Sequence, residues 1–494
     1  MLDTLIIGSG FSGIGIGVAL RGAGRADFEI WERASDLGGT WRDNHYPGCA
    51  CDITSPVYSF SFAAKPDWSR LYPPQPEILD YLRGVANRHG LDPHFRFGRD
   101  MRAARWQGDH WQVEAADGAV ARARFLVLGT GGLSNWRIPD LPGLESFAGP
   151  VWHSADWNHD FPLDGKRVAV VGTGASAIQF VPEIAPKAAQ VAVFQRTPPW
   201  VVPKLDREIP PETAARWRRQ PWRQKLMRLF LFARSELLLQ PRLRRMCGLD
   251  KFERVAREHM EKAIADPAMR ARLTPGYRFG CKRLLISNDW YPALARDNVE
   301  LVTDPIEEVT PAGIRTADGV ERAFDAIIFG TGFDVEAAWK GPEIAGLGGV
   351  SLRDLWAEAP KAHLGISVAQ FPNLFMTMGP ATGLGHNSII YMIEAQIAHI
   401  MSAMALSRKL DAPLMPRRSA QEAFFDGVQA QMAGTVWMKG GCDSWYLAGK
   451  GRNYTLWPGH TFTYRRRVKR ARAADYEAVP PASGIEPRSS LRGA

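Results

Sequence analysis

Cysteine is scarce in this chain, and nothing in the sequence pairs what there is. Its 494 residues include Cys49, Cys51, Cys247, Cys281 and Cys442, an odd number with no C-x-x-C spacing. That argues against a zinc site or a disulfide framework and predicts reduced thiols in a cytoplasmic setting. Long apolar runs are missing too, since none approaches the roughly 18 residues needed to cross a bilayer. The apolar segment 226–239 is interrupted by Arg228, Arg234 and Glu236. It reads as an amphipathic helix packed on the body, and no membrane span is expected. The opening stretch MLDTLIIGSG has no basic region before its apolar run, so no signal peptide is expected. Charge of one sign is only mildly in excess, at +9 from 61 basic and 52 acidic residues. The surplus gathers at 216–245 and 465–472, as solvated basic helices and a basic tail would, and no nucleic-acid partner is expected. A chain of this length, 45% hydrophobic and 23% charged, is ordinary for a soluble protein of two or three domains.

Two glycine-rich motifs stand out against this background. TLIIGSGFSGIGIG predicts a buried strand over 5–7, a turn, and then a helix, with Gly8, Gly10 and Gly13 in G-x-G-x-x-G spacing. Glycines there let backbone amides approach a pyrophosphate at the helix N-terminus. The next strand, DFEIWER, ends at Glu32, 24 residues past Gly8, where a carboxylate can accept both ribose hydroxyl hydrogens. The pattern recurs in KRVAVVGTGASAIQF, with a strand over 168–171 followed by Gly172, Gly174 and Ala177. Its second strand reaches Arg196, again 24 residues on, with Thr197 behind it. A carboxylate would repel a 2′-phosphate, whereas a guanidinium grips it with two hydrogen bonds. The first site is therefore expected to take FAD and the second NADPH.

Two further strands, in ARFLVLGTGG and FDAIIFGTGFD, end in glycine turns. Each is expected to close one nucleotide unit as a returning strand, and its turn serves either packing or direct cofactor contact. The fold class is α/β, with two Rossmann-like domains. Residues 1–150 and 336–470 are expected to form a discontinuous FAD domain and 151–335 an NADPH domain. A helical insertion is placed at about 200–275, and a Pro-, Ala-, Arg- and Ser-rich disordered tail at 471–494.

The stretch GGTWRDNHYPGCACD carries Gly39, Trp41, Tyr46, Pro47, Gly48 and Asp52, and FAGPVWHSADWN carries Phe147, Gly149, His153 and Trp157. On these residues the chain resembles the type I Baeyer–Villiger monooxygenases, within the wider flavin-containing monooxygenase group. The likeness runs through CKRLLISNDWYP and FPNLFMTMGPATGLGHNS, over about residues 1–465. One departure is Asn158, which stands where the family usually has proline or aspartate.

The resemblance implies a reaction. NADPH reduces the flavin, O2 adds at its C4a carbon, and the peroxyflavin attacks a ketone to give an ester or lactone, with sulfoxidation as a side activity. Arg283 matches the catalytic arginine, and Asp52 the aspartate that pairs with it beside the flavin. An arginine suits that place, because its pKa above about 12 keeps it from reprotonating an anionic oxygen nucleophile. For FAD the family positions add Ser12, Thr40, Trp41, Tyr58 and Met101 to the glycines, Gly39, Glu32 and Asp52. For NADPH they add Thr173, Ser176, Lys282 and Arg283 to Gly172, Gly174, Ala177, Arg196 and Thr197. His386 reads as a capping or packing residue, and Trp445, Tyr446 and Trp457 as pocket-lining or core. His153 and Trp157, lying where the chain crosses between domains, read as hinge packing rather than as a base. The expected partners are a small ketone and O2, with monomer and homodimer both open. Amine or sulfur oxidation, and a flavin reductase that releases peroxide, stay as alternatives. A disulfide reductase is disfavoured, because Cys49 and Cys51 are separated by one residue only.

Overall fold

The computed structural model describes residues 1–335, 337, 341–447 and 451–479. Two sheets organise it, each built on parallel strands around one of the glycine motifs; the second is wholly parallel, and the first carries one strand, Trp111–Ala115, antiparallel to both neighbours. In the first, β1 (Leu2–Ile7) leads through the Gly8–Gly10 turn into α1 (Phe11–Gly22) and on to β2 (Phe28–Glu32). Leu5, Ile6 and Ile30 are fully buried, as continuous apolar strands covered on both faces must be. The sheet is widened by β3 (Phe95–Phe97), β4 (Met101–Trp106), β5 (Trp111–Ala115) and β6 (Val120–Leu128). In the second sheet, β7 (Val151–His153) lies at one edge, and β8 (Arg167–Val171) feeds α2 (Ala177–Ile184) and β9 (Gln190–Phe194). β10 (Val299–Val302) and β11 (Ala326–Phe329) complete it, in the order β10-β9-β8-β11-β7. The chain then returns to the first sheet with β12 (Glu343–Ala345) and β13 (Leu374–Met376). That sheet runs β12-β4-β5-β6-β1-β2-β3, with β13 also paired to β6.

The returning strands are β6 beside β1 and β11 beside β8, both parallel. Their glycine turns pack rather than merely connect. A Cβ on Gly8 would sit 2.6 Å from the Gly129 carbonyl oxygen, and one on Gly172 would sit 2.5 Å from that of Gly330. With φ of +98° and +111°, both positions demand glycine on two counts.

The helical insertion is Pro211–Arg219, α3 (Pro221–Arg234), a π-turn at Ser235–Leu239, α4 (Gln240–Arg245), Leu249–Glu261 and Pro267–Leu273. One helix, α5 (Ile389–Lys409), is long and apolar enough by length and composition to cross a bilayer. It instead runs through the core, with Ile390, Met392, Ile400 and Met404 fully buried. The run GPATGLGHNSIIYMIEAQIAHIM predicts this helix from about His386, but it starts at Ile389, because His386 and Asn387 are both bonded to Glu236.

Two expectations are corrected. Cys281 and Cys442 form a disulfide across 161 residues, with Cα atoms 6.1 Å apart. The thiols are thus not all reduced, and only Cys49, Cys51 and Cys247 are free. Sequence spacing could not reveal a pair brought together by tertiary contact. The tail does not begin at 471, since Tyr476–Ala478 pairs antiparallel with Leu414–Pro416. Tyr476 is buried, its hydroxyl 2.8 Å from His399 Nε2 and 3.1 Å from Ser367 Oγ. The remaining part of the expected tail, 480–494, lies outside the described residues.

Candidate active site between two nucleotide cradles

The first cradle is built around Glu32. Its Oε2 accepts from Ser9 N at 3.0 Å and Ser9 Oγ at 2.7 Å, and its Oε1 lies 3.0 Å from Arg42 Nη1. Burial would raise this carboxyl, but Arg42 and the Ser9 hydrogen bonds hold it below its ordinary range. It is an anion at neutral pH, fixed at the mouth of the glycine turn. Gly13 is wedged against Gly8, where a Cβ would meet the Gly8 oxygen at 1.9 Å. Only backbone of Gly38 and Gly39 approaches the Cβ position of Gly10, at 3.7 Å or more. A backbone-lined opening with an acid at its ribose end fits the adenosine diphosphate part of FAD. Ser12 is buried in the first turn of α1, and Thr40 and Trp41 open the short helix Thr40–Asp43 behind Gly39. Trp41 Nε1 donates to the Tyr58 hydroxyl at 3.1 Å. Met101 is buried at the head of β4, two residues beyond Arg99, whose N–H is bonded to the Glu32 carbonyl.

The second cradle repeats this plan with opposite charge. Arg196 is exposed just beyond β9, and Lys282 stands close enough that Arg196, after burial, depresses its ammonium pKa. Two cations side by side next to this glycine turn fit a bound phosphate. Thr173 Oγ1 donates to the Thr197 carbonyl at 3.3 Å, which ties the glycine turn to this cationic edge. Ser176 and Ala177 begin α2 at the far side of that turn.

Between the cradles Arg283 and Asp52 meet across 231 residues. The contact is bidentate, with Nε to Oδ2 and Nη2 to Oδ1 both at 2.8 Å. Asp52 raises the pKa of the Arg283 guanidinium above its ordinary value, more than burial lowers it. Both residues line a cavity of about 220 Å³, together with Leu231, Leu239, Phe279 and His386. Tyr446 is buried beside Arg283, whereas Trp457 stacks on Phe424 in the core. The Trp445 side chain lies outside the described residues. Cys49 and Cys51 are buried, and burial pushes the Cys49 thiol up to about 12 and that of Cys51 well above its usual value. Neither is a thiolate ready for disulfide exchange.

Glu236 escaped the sequence reading. It is buried on the π-turn and takes hydrogen bonds from Asn387 Nδ2 (2.8 Å), Thr461 Oγ1 (2.6 Å) and Thr461 N (3.1 Å). His386 Nε2 and His460 Nδ1 each lie 3.1 Å from it. Against burial, these contacts, His386 first among them, lower its pKa to about 2. His386 is thereby a packed, positioned residue rather than a free base. The available signal was that Glu236 is the one acid amid the basic residues of 216–245.

Residues 5–227 match the pyridine nucleotide-disulphide oxidoreductase family. Over 97% of its length the chain is 45% identical to a Baeyer–Villiger monooxygenase of Streptomyces coelicolor, 92% of which is covered. The chain belongs to the Baeyer–Villiger monooxygenases. Cyclohexanone monooxygenase from Rhodococcus sp. Phi1, solved with NADP+ bound, superposes with a TM-score of 0.87 at 29% identity, covering 97% of this chain and 99% of that one. OTEMO, solved in complex with FAD and NADP, gives 0.88 at 28% with the same coverage.

The structure explains what the family's two fingerprints have in common, for both converge on α2. Tyr46 donates to Gln179 Oε1 at 2.9 Å and meets Phe180 edge-on at 6.0 Å. Trp157 reaches the same Phe180 at 5.2 Å. Gly149 is required because a Cβ there would fall 2.6 Å from the Asp325 carbonyl oxygen. The departure at Asn158 is benign, since its Oδ1 accepts from Asp160 N at 3.0 Å as an aspartate would.

Proposed function

We propose that this Baeyer–Villiger monooxygenase uses FAD, NADPH and O2 to insert one oxygen atom beside a ketone carbonyl, giving an ester or lactone, and oxidises thioethers as a side activity. The observation that carries the reading is the Arg283–Asp52 pair at the cavity between an acid-ended and a cation-ended cradle. FAD, when bound, supplies electron storage and oxygen activation. The chain supplies the rest. Glu32 holds the adenosine ribose, and Arg196, Thr197 and Lys282 hold the 2′-phosphate that marks NADPH. Arg283, kept cationic by Asp52, offsets negative charge on the reacting oxygens without giving up its proton. Asp52 in turn fixes the plane of the guanidinium.

The FAD domain is assigned to 1–150 and 336–479, extended past 470 by the pairing of Tyr476–Ala478 with Leu414–Pro416, and the NADPH domain to 151–335, a division supported by which strands enter which sheet. Cytoplasmic placement no longer has reduced thiols to support it and rests on the intracellular supply of NADPH. Incubation with NADPH, O2 and a panel of cyclic ketones, amines and thioethers tests the reading. Esters or lactones are expected as major products, and N-oxides as major products with ketones untouched would overturn it.

A further inference from the structure

The long helix of the insertion is built inside out. Its body-facing side is polar: Gln224 donates to the Lys65 carbonyl at 2.6 Å, and Arg228 Nη1 to the carbonyls of Pro56 (2.7 Å) and Ser59 (2.8 Å). Glu236 is buried as described, and Gln240 Nε2 donates to the Pro458 carbonyl at 2.9 Å. Its outer side is apolar, with Trp222, Leu226, Leu229, Phe230, Leu237 and Leu238 each more than half exposed, from 51% to 64%. At about 3.6 residues per turn, Trp222, Leu226, Leu229 and Phe230 fall on one stripe. The wider π-turn resets the phase, so that Leu237 and Leu238 rejoin that stripe while Glu236 and Gln240 turn inward. Single exposed apolar side chains are ordinary, but six large ones on one face mark a docking surface.

The charges beside the stripe choose the occupant. Exposed Lys225 lies on one flank, and exposed Arg223 on the other. The one acid between residues 216 and 245 is Glu236, which is buried and engaged inside. A second copy docked about a two-fold axis would set these cations against themselves. An anionic lipid surface accepts both parts, since apolar side chains enter the acyl boundary while the flanking cations meet headgroups.

We propose that the outer face of residues 221–245 docks the enzyme on anionic membrane surfaces without spanning them. The inner face of the same helix supplies Leu231, Arg234, Ser235 and Leu239 to the active-site cavity. Docking therefore sets the cavity beside the lipid. Resting on the ketone-oxidising reading, the favoured substrates are apolar ketones that partition into membranes.

The test is co-sedimentation of FAD-loaded enzyme with vesicles of phosphatidylcholine alone or mixed with phosphatidylglycerol. Binding to the mixed vesicles is expected to exceed that to phosphatidylcholine by about tenfold and to weaken with salt. Leu229→Gln/Phe230→Gln should cut it by about tenfold while leaving the melting temperature and turnover of a water-soluble ketone unchanged. Arg223→Gln/Lys225→Gln should remove the preference for the anionic lipid. Equal binding to both vesicle types, or parental binding by the Leu229/Phe230 variant, would overturn the proposal. So would a dimer seen by light scattering that the same variant disperses. Vesicle binding without turnover of any ketone would sink the functional reading and leave the surface standing.

Discussion

Arg283 shows how one residue can be both fixed and charged at a half-open cavity. The carboxylate of Asp52 raises its pKa more than burial lowers it, so the guanidinium keeps its charge at neutral pH. Arg283→Ala is expected to leave flavin reduction by NADPH intact while cutting ester formation by about 10²-fold or more, the usual loss of a charge-stabilising donor. Stopped-flow reduction and product analysis separate the two, and parental ester yield would refute the assignment. At the other cradle, Arg196→Ala should raise KM for NADPH by about tenfold or more and leave that for NADH nearly unchanged. Steady-state kinetics with both nucleotides decide it. The place of Arg196, exposed just beyond β9, was legible from its spacing after Gly172. The Arg283–Asp52 contact was not, because residues 231 apart reveal a pairing only through the fold, and the family resemblance alone suggested it.

At the scale of elements, what was legible was what local pattern controls. The strands and glycine turns stand where expected, because buried parallel strands are continuous apolar runs and the turns require φ above zero. The orientation of the insertion was not legible. Periodicity identifies an amphipathic helix but cannot say which face points inward, and here the polar face does. Glu236 is the reason the arrangement holds, joining the π-turn to the loop before α5 and to Thr461. Its pKa of about 2 lies below the unfolded value near 4.5. The stability it contributes is therefore fully present above about 4.5 and is lost as pH falls toward 2. At neutral pH that contribution is on the order of 3 kcal/mol. Glu236→Gln should lower the melting temperature at pH 7, and the gap to the parent should narrow by pH 3. A gap unchanged between the two pH values would show that the carboxylate charge is not what holds the joint.

For the whole molecule, the decisive feature is that the chain crosses between the two nucleotide units twice and that the crossings touch. Asp334 N bonds the Asn135 carbonyl at 2.8 Å, and Trp136 bridges to Phe333. His153, ending β7 and fully buried, stacks on Trp136 at 5.3 Å and meets Phe333 edge-on at 5.8 Å. It thus pins both linkers at once, a joint visible only when the two passages are folded together. Burial lowers its pKa to about 4, so it is neutral wherever NADPH is turned over. Its Nδ1 is already occupied, accepting from Ala155 N at 3.1 Å. A general base needs a pKa near the working pH, and His153 lacks one. Loosening the joint should cost alignment of the two cradles rather than proton transfer. His153→Ala is therefore expected to raise KM for NADPH by about three- to tenfold and to divert more NADPH into peroxide, with the pH profile of kcat/KM from 6 to 9 keeping the parental shape. Oxygen-electrode and peroxide assays against ester yield measure the diversion. A profile that loses a limb in this variant would restore His153 as an acid–base group, and unchanged affinity with unchanged yield would remove it from the coupling altogether.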